Sequence, residues 1–129
     1  MSHAREFRAG RIHRGAEIRR ILAQGRRYPS QHVVAVVQGR EEGGPRLGVI
    51  VGRRLGGAVA RNRAKRRLRE IARSLWPRLV GPVDVLLLAR PSADRASFGE
   101  IRASVEHSLR RAGRLAPEQD LEPAAWERG

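Results

Sequence analysis

The sequence predicts an α/β sandwich, a single sheet with helices packed against it, in the order αβββαβα. Three observations lead there. Val33–Val37 and Leu47–Val51 are apolar and rich in β-branched residues, and between them lies Glu41-Glu42-Gly43-Gly44-Pro45, which has the composition of a loop. Val83-Asp84-Val85-Leu86-Leu87-Leu88-Ala89 is apolar on both faces, as a strand inside a helix-covered sheet must be. In the stretches 58–75 and 97–113, apolar residues return every three or four positions, the period of a helix with one buried side.

Ala16, Ile18, Ile21 and Leu22 give a first helix from about Arg14 to Gln24, closed by Gly25 as its C-terminal cap and kept closed by Pro29. The two β-rich runs that follow are expected to pair antiparallel across the Glu41–Pro45 loop, with room for one further strand. Gly56-Gly57 hinges into the next helix, where Ala60, Ala64, Leu68, Ile71 and Leu75 form the buried stripe, and Pro77 sets its end near Trp76. Strand, helix and strand 83–89 together make a βαβ unit. Ser97 and Glu100 have the spacing of a capping box at the head of a last helix carrying Phe98, Ile101, Val105 and Leu109, with Gly113 at its end. Periodicity stops at Leu115, and Pro117 and Pro123 follow. The expected organisation is a basic N-terminal arm, residues 1–13, one α/β domain, residues 14–114, and an acidic disordered tail, residues 115–129.

Charge supplies the functional signal. The 129 residues hold 27 Lys plus Arg against 13 Asp plus Glu, a formal net charge of +14, and Lys65 is the sole lysine. Such an excess suits a polyanionic partner, and guanidinium groups suit planar, bidentate contacts with phosphate. The densest run is Arg61-Asn62-Arg63-Ala64-Lys65-Arg66-Arg67-Leu68-Arg69-Glu70-Ile71-Ala72-Arg73, on the helix whose apolar stripe faces the sheet. The helical period therefore drives its cations to the opposite, wet face. Asn62 among them can both give and accept a hydrogen bond to a sugar or base edge.

Other classes fit poorly. There is no cysteine, hence no disulfide frame, thiolate metal site or cysteine nucleophile. His3, His13, His32 and His107 lack metal-ligand spacing, and the acids are scattered or in the tail, so a hydrolytic centre made of protein side chains is not expected. No apolar run approaches a membrane span and the start lacks a signal-peptide core, so a cytoplasmic protein without a membrane partner is the expectation. A DNA-binding regulator would place such a helix in a major groove from a dimeric scaffold, and neither a heptad nor a helix-turn-helix neighbour accompanies it. DNA is thus not an expected partner.

The block Arg46-Leu47-Gly48, then Arg53-Arg54-Leu55-Gly56-Gly57-Ala58-Val59-Ala60-Arg61-Asn62-Arg63-Ala64-Lys65-Arg66 and Arg69-Glu70, resembles the signature of the bacterial ribonuclease P protein subunit. A basic pair precedes glycine, then Ala-Val, Arg-Asn-Arg and Lys-Arg, and a later strand runs from Asp84 through apolar residues to Arg90, as in that family. The likeness extends over nearly all of residues 11–113. It implies a mixed sheet whose βαβ unit has the uncommon left-handed crossover found in some ribosomal proteins, against the usual right-handed rule. It implies too a protein partner of a ribozyme, in which the catalytic RNA and its Mg2+ hydrolyse the bond that frees the 5′ leader of precursor tRNA while the protein supplies binding. On this resemblance Arg53, Arg54, Arg61, Asn62, Arg63, Lys65, Arg66, Arg69 and Arg73 contact RNA. Relatives line the leader groove with aromatic side chains; the matching positions here, Ile18, Leu22 and Val36, are aliphatic, which removes base stacking worth about 1–3 kcal/mol per base. The alternative is a structural RNA-binding protein of ribosomal type, sharing the charge but needing no leader groove.

Overall fold

The computed structural model describes residues 10–117, and the rest of the arm and the tail lie outside them. Within that range the chain runs α1 (Gly15–Gln24), β1 (Arg26–Pro29), β2 (Val33–Gly39), β3 (Arg46–Ile50), α2 (Ala58–Leu75), β4 (Val83–Ala89) and α3 (Phe98–Arg111), the αβββαβα order of an α+β fold. The four strands make one mixed sheet in the order β1-β2-β4-β3.

The pairing corrects one expectation. The two β-rich runs do not form a hairpin: β2 pairs antiparallel with β1 and β4, whereas β3 takes β4 as its strand partner, in parallel. Strand β4 therefore lies between them, as its two-sided apolar pattern requires. Periodicity and loop composition located both runs but carry no information on who sits between them.

The strand period of two sorts side chains onto two unequal faces. Val33, Ala35, Val37, Leu47, Val83, Val85 and Leu87 point to one face, where Leu68, Ile71 and Leu75 of α2 and Ile101, Val105 and Leu109 of α3 close a large core. On the other face only α1 packs, and its cluster has four buried members, Ile12, Ile21, Val36 and Leu86. Around that small core Ile18, Leu22, Val34, Ile50 and Leu88 remain half-buried.

Local chemistry accounts for the helix ends. The Ser97 hydroxyl accepts from the Glu100 N–H at 3.1 Å and the Glu100 carboxylate accepts from the Ser97 N–H at 2.8 Å, completing the expected capping box. Helix α2 ends at Leu75 and the chain continues as a 3-10 turn, Trp76–Arg78, with Pro77 inside it. Gly25 does cap α1, through its N–H to the Ile21 carbonyl, but at φ −75° rather than in the left-handed region. Its need for glycine is space: a Cβ there would stand 2.7 Å from the Ile21 carbonyl oxygen and from Val36 Cγ1. Gly56, by contrast, has φ +155°, which lets the chain turn from the 3-10 segment Arg53–Leu55 into α2.

The domain edges lie further out than 14–114. Residues 10–12 join the sheet beside β3 through Ile12 N–H to Leu47 O (2.9 Å) and Leu47 N–H to Gly10 O (2.7 Å), and Ile12 is buried. At the other end Leu115 is buried in the main core and Ala116 exchanges hydrogen bonds with Arg78, whose Nε donates to the Ala116 carbonyl at 2.9 Å. Of the tail expected to be disordered, 115–129, residues 118–129 lie outside the described residues.

Candidate nucleic-acid interface

Helix α2 carries the largest stretch of the candidate interface. Ala64, Leu68, Ile71, Ala72 and Leu75 are buried, which fixes the rotation of the helix. Asn62, Arg66, Arg69 and Arg73 then fall at spacings of four, three and four on the exposed side, a stripe about 16 Å long at 1.5 Å per residue. None of these four, nor Lys65, Arg53 or Arg54, makes a side-chain hydrogen bond or ion pair with another described residue. Arg53 and Arg54 are exposed on the 3-10 turn that leads into the helix. Unneutralised guanidiniums at this density repel one another, and a polyphosphate removes that cost while releasing its own counterions.

Two residues of the Arg-Asn-Arg triplet differ from expectation. Arg61 and Arg63 should face water fully, yet both are half-buried and engaged with the protein. Arg61 donates to the Gly56 carbonyl at 2.8 Å, and Arg63 pairs with Asp94 at 3.1 Å. Arg67 likewise reaches the Ala96 carbonyl at 3.3 Å. These three fasten α2 to the glycine hinge and to the segment 91–97, a 3-10 turn and its exit. A guanidinium has five N–H donors, so each can still offer hydrogen bonds outward. Sequence periodicity placed them on the wet side but could not foresee that neighbouring loops would rise to meet them.

The groove expected at Ile18, Leu22 and Val36 also needs correction. Val36 is 0% exposed, sealed beneath α1 against Ile21 and Leu86, and cannot line an open surface. The half-buried aliphatic side chains on that face are Ile18 and Leu22 of α1 with Val34, Ile50 and Leu88 of the sheet. Register explains the grouping, since Leu88 stands opposite Val34 on one side and Ile50 on the other. Sequence reading missed Val34, Ile50 and Leu88. Alternation does put them on the face of Val36, but which part of that face α1 leaves uncovered is a matter of helix placement.

An ionic latch sets that placement. Asp84, 0% exposed, accepts from Arg46 Nε at 2.9 Å and Arg46 Nη2 at 3.1 Å, and from Arg20 of α1 at 3.2 Å, with Arg40 Nε 3.6 Å away. Arg46 and Asp84 are direct partners in the β3–β4 register, so their side chains meet on the α1 face. Arg46 also donates to Glu17 of α1 at 2.9 Å. The Asp84 carboxylate, and then Glu17, push the Arg46 guanidinium above its ordinary pKa against partial desolvation. The Arg46 hydrogen bond in turn holds Glu17 below its ordinary value. A carboxylate that reads as an oddity inside an apolar strand thus tethers α1 across the sheet.

Among the described residues no three His, Asp or Glu side chains come together as metal ligands. No helix of the described chain is long and apolar enough to cross a membrane.

A mixed sheet with a fully packed face, a lightly covered face and an arginine stripe beside it defines an RNA-binding protein of the α+β class. The chain belongs to the ribonuclease P protein family, whose sequence profile matches residues 8–113. A ribonuclease P protein component from Symbiobacterium thermophilum is 44% identical over 99 residues, covering 76% of this chain and 86% of that protein. One from Chloroflexus aggregans is 42% identical over 106 residues, covering 81% and 78%. Among solved structures, the RNase P protein of Staphylococcus aureus matches with a TM-score of 0.72 at 31% identity, over 80% of this chain and 94% of that one. The RNase P protein of Thermotoga maritima matches with a TM-score of 0.70 at 25% identity, over 78% and 96%. As a member of that family the chain is an RNA-binding protein of tRNA processing whose partner is the RNase P RNA.

Proposed function

We propose that this protein binds the catalytic RNA and the nearby part of the leader through Asn62, Lys65, Arg66, Arg69 and Arg73 with Arg53 and Arg54, and that Arg61 and Arg63 add contacts from their engaged positions. The 5′ leader of precursor tRNA then lies along the aliphatic face formed by Ile18, Leu22, Val34, Ile50 and Leu88. Cleavage resides in the RNA subunit and its Mg2+; the protein lowers the repulsion between two polyanions, so its benefit is greatest where cations are scarce. The cytoplasm is where the holoenzyme acts on precursor tRNA.

The observation that carries this reading is the row of exposed cations on α2 without partners among the described residues. The test adds purified protein to a bacterial RNase P RNA at low magnesium and follows release of the leader. Stimulation over RNA alone is expected. A protein that binds RNA tightly yet gives no stimulation belongs instead to a structural assembly of ribosomal type.

A further inference from the structure

A cleft of about 170 Å³ opens at the outer edge of β3, with Arg11, His13 and Arg69 at its rim and Ile12, Ile18 and Val49 among its apolar walls. Its position is informative. Arg69 comes from α2 on the fully packed face of the sheet and Ile18 from α1 on the other, so the cleft is where the two faces meet. An RNA strand touching both the arginine stripe and the aliphatic face must round an edge of the sheet. Strand β3 supports α2 and provides the near edge.

The edge itself supplies hydrogen-bonding groups. Leu47 directs its N–H and C=O outward to residues 10–12. The two-residue period of a strand turns those of Val49 the same way, beyond the end of that pairing and toward the cleft. Strand edges of this kind are open donors and acceptors. Arg11, His13 and Arg69 are all exposed, and none has a side-chain partner among the described residues. The volume is well under the roughly 300 Å³ at which drug-sized ligand pockets begin, which fits one sugar-phosphate unit rather than a stacked nucleotide.

We infer that this cleft binds one phosphodiester of single-stranded RNA, held by Arg11 and Arg69 with the ribose against Ile12 and Ile18, and so passes the strand from α2 to the aliphatic face. Recognition there is of backbone, independent of sequence. The inference rests on the leader reading above and adds residues 11 and 13, which the family motif did not mark.

The experiment measures binding of holoenzyme to precursor tRNAs carrying either a long leader or a single-nucleotide leader. Arg11→Ala is expected to weaken the long-leader substrate about five-fold and flatten its log–log salt slope by about 0.7, the value for one phosphate on a single strand. The short-leader substrate should move less than two-fold, and Arg11→Lys should recover most of the loss. Equal weakening of both substrates, or no weakening of either, overturns the proposal. A second measurement needs no variant: the amide resonance of Val49 and the ring resonances of His13 should shift when single-stranded RNA is added to the protein. Shifts on α2 with Val49 and His13 unmoved also overturn it. If the unaltered holoenzyme does not distinguish long from short leaders, the leader reading itself fails, a result separate from any effect of Arg11.

Discussion

The two faces of the sheet use the same strands in opposite ways. On the α2–α3 face most large side chains are covered, with Tyr28 and Val49 half-buried on the edge strands, and the helices are held mainly by apolar contact. On the α1 face a ten-residue helix covers only part of the strands, four residues are fully buried, and Asp84 with Arg46, Arg20 and Glu17 does much of the fastening. The first face is the more completely closed. The second keeps half-buried aliphatic side chains free, and a directional ionic contact can hold α1 at its end without covering them. Most of the stabilising burial therefore lies on one surface of the sheet, and the other is left partly open.

The sharpest way to break that comparison is in the large core. Leu68→Ala removes a side chain 1% exposed and should cost roughly 2–5 kcal/mol in urea unfolding, because the surrounding helices cannot close the cavity. A cost near zero would mean that α2 is held by its charges rather than its stripe. Next comes the latch. Asp84→Asn leaves Arg46 without its main partner and should cost about 3 kcal/mol, the low end for a broken buried pair because the arginines are partly hydrated. Amide exchange in α1 should accelerate more than in α3, and uniform acceleration would show that the latch is not local to its face.

Smaller effects sharpen the division within α2. Arg66→Ala should leave stability within about 0.5 kcal/mol and reduce affinity for the RNA subunit, with the log–log salt slope shallower by about 0.9 if one duplex-like phosphate contact is lost. Arg63→Ala should lower stability by up to about 1 kcal/mol as well, since it gives up the half-exposed Asp94 pair. If the two variants behave alike in unfolding, the separation between engaged and free arginines has no energetic meaning. The least effect is expected from acid. Glu17 has a folded-state pKa below its ordinary 4.5, so its contribution is complete above that value and is lost as pH falls through the lowered one. It is 32% exposed and screened by water, so Glu17→Gln should only modestly reduce the extra acid sensitivity of α1 below pH 4.5.

Much of this was legible without coordinates, for reasons that can be named. The helical period in α2 put Leu68 and Ile71 inward and Arg66, Arg69 and Arg73 outward, and the Ser97–Glu100 spacing located the start of α3, because both are properties of local backbone geometry. The partners of β2 and β3 were not legible, since strands of equal apolarity can pair in several orders. Nor was the engagement of Arg61 and Arg63, which depends on loops distant in sequence. Val36 was placed in a groove that α1 in fact closes, because alternation assigns a residue to a face without saying what lies on it.

Composition and period alone determined that this chain folds as helices on a sheet and turns a dense cationic stripe toward solvent, since those are consequences of a repeat read against one backbone. Only the tertiary structure decided the order β1-β2-β4-β3, the meeting of Arg46 with Asp84, and the aliphatic patch that α1 leaves open. Those depend on contacts between residues far apart in the chain, and no local pattern encodes which distant surface will be the one that fits.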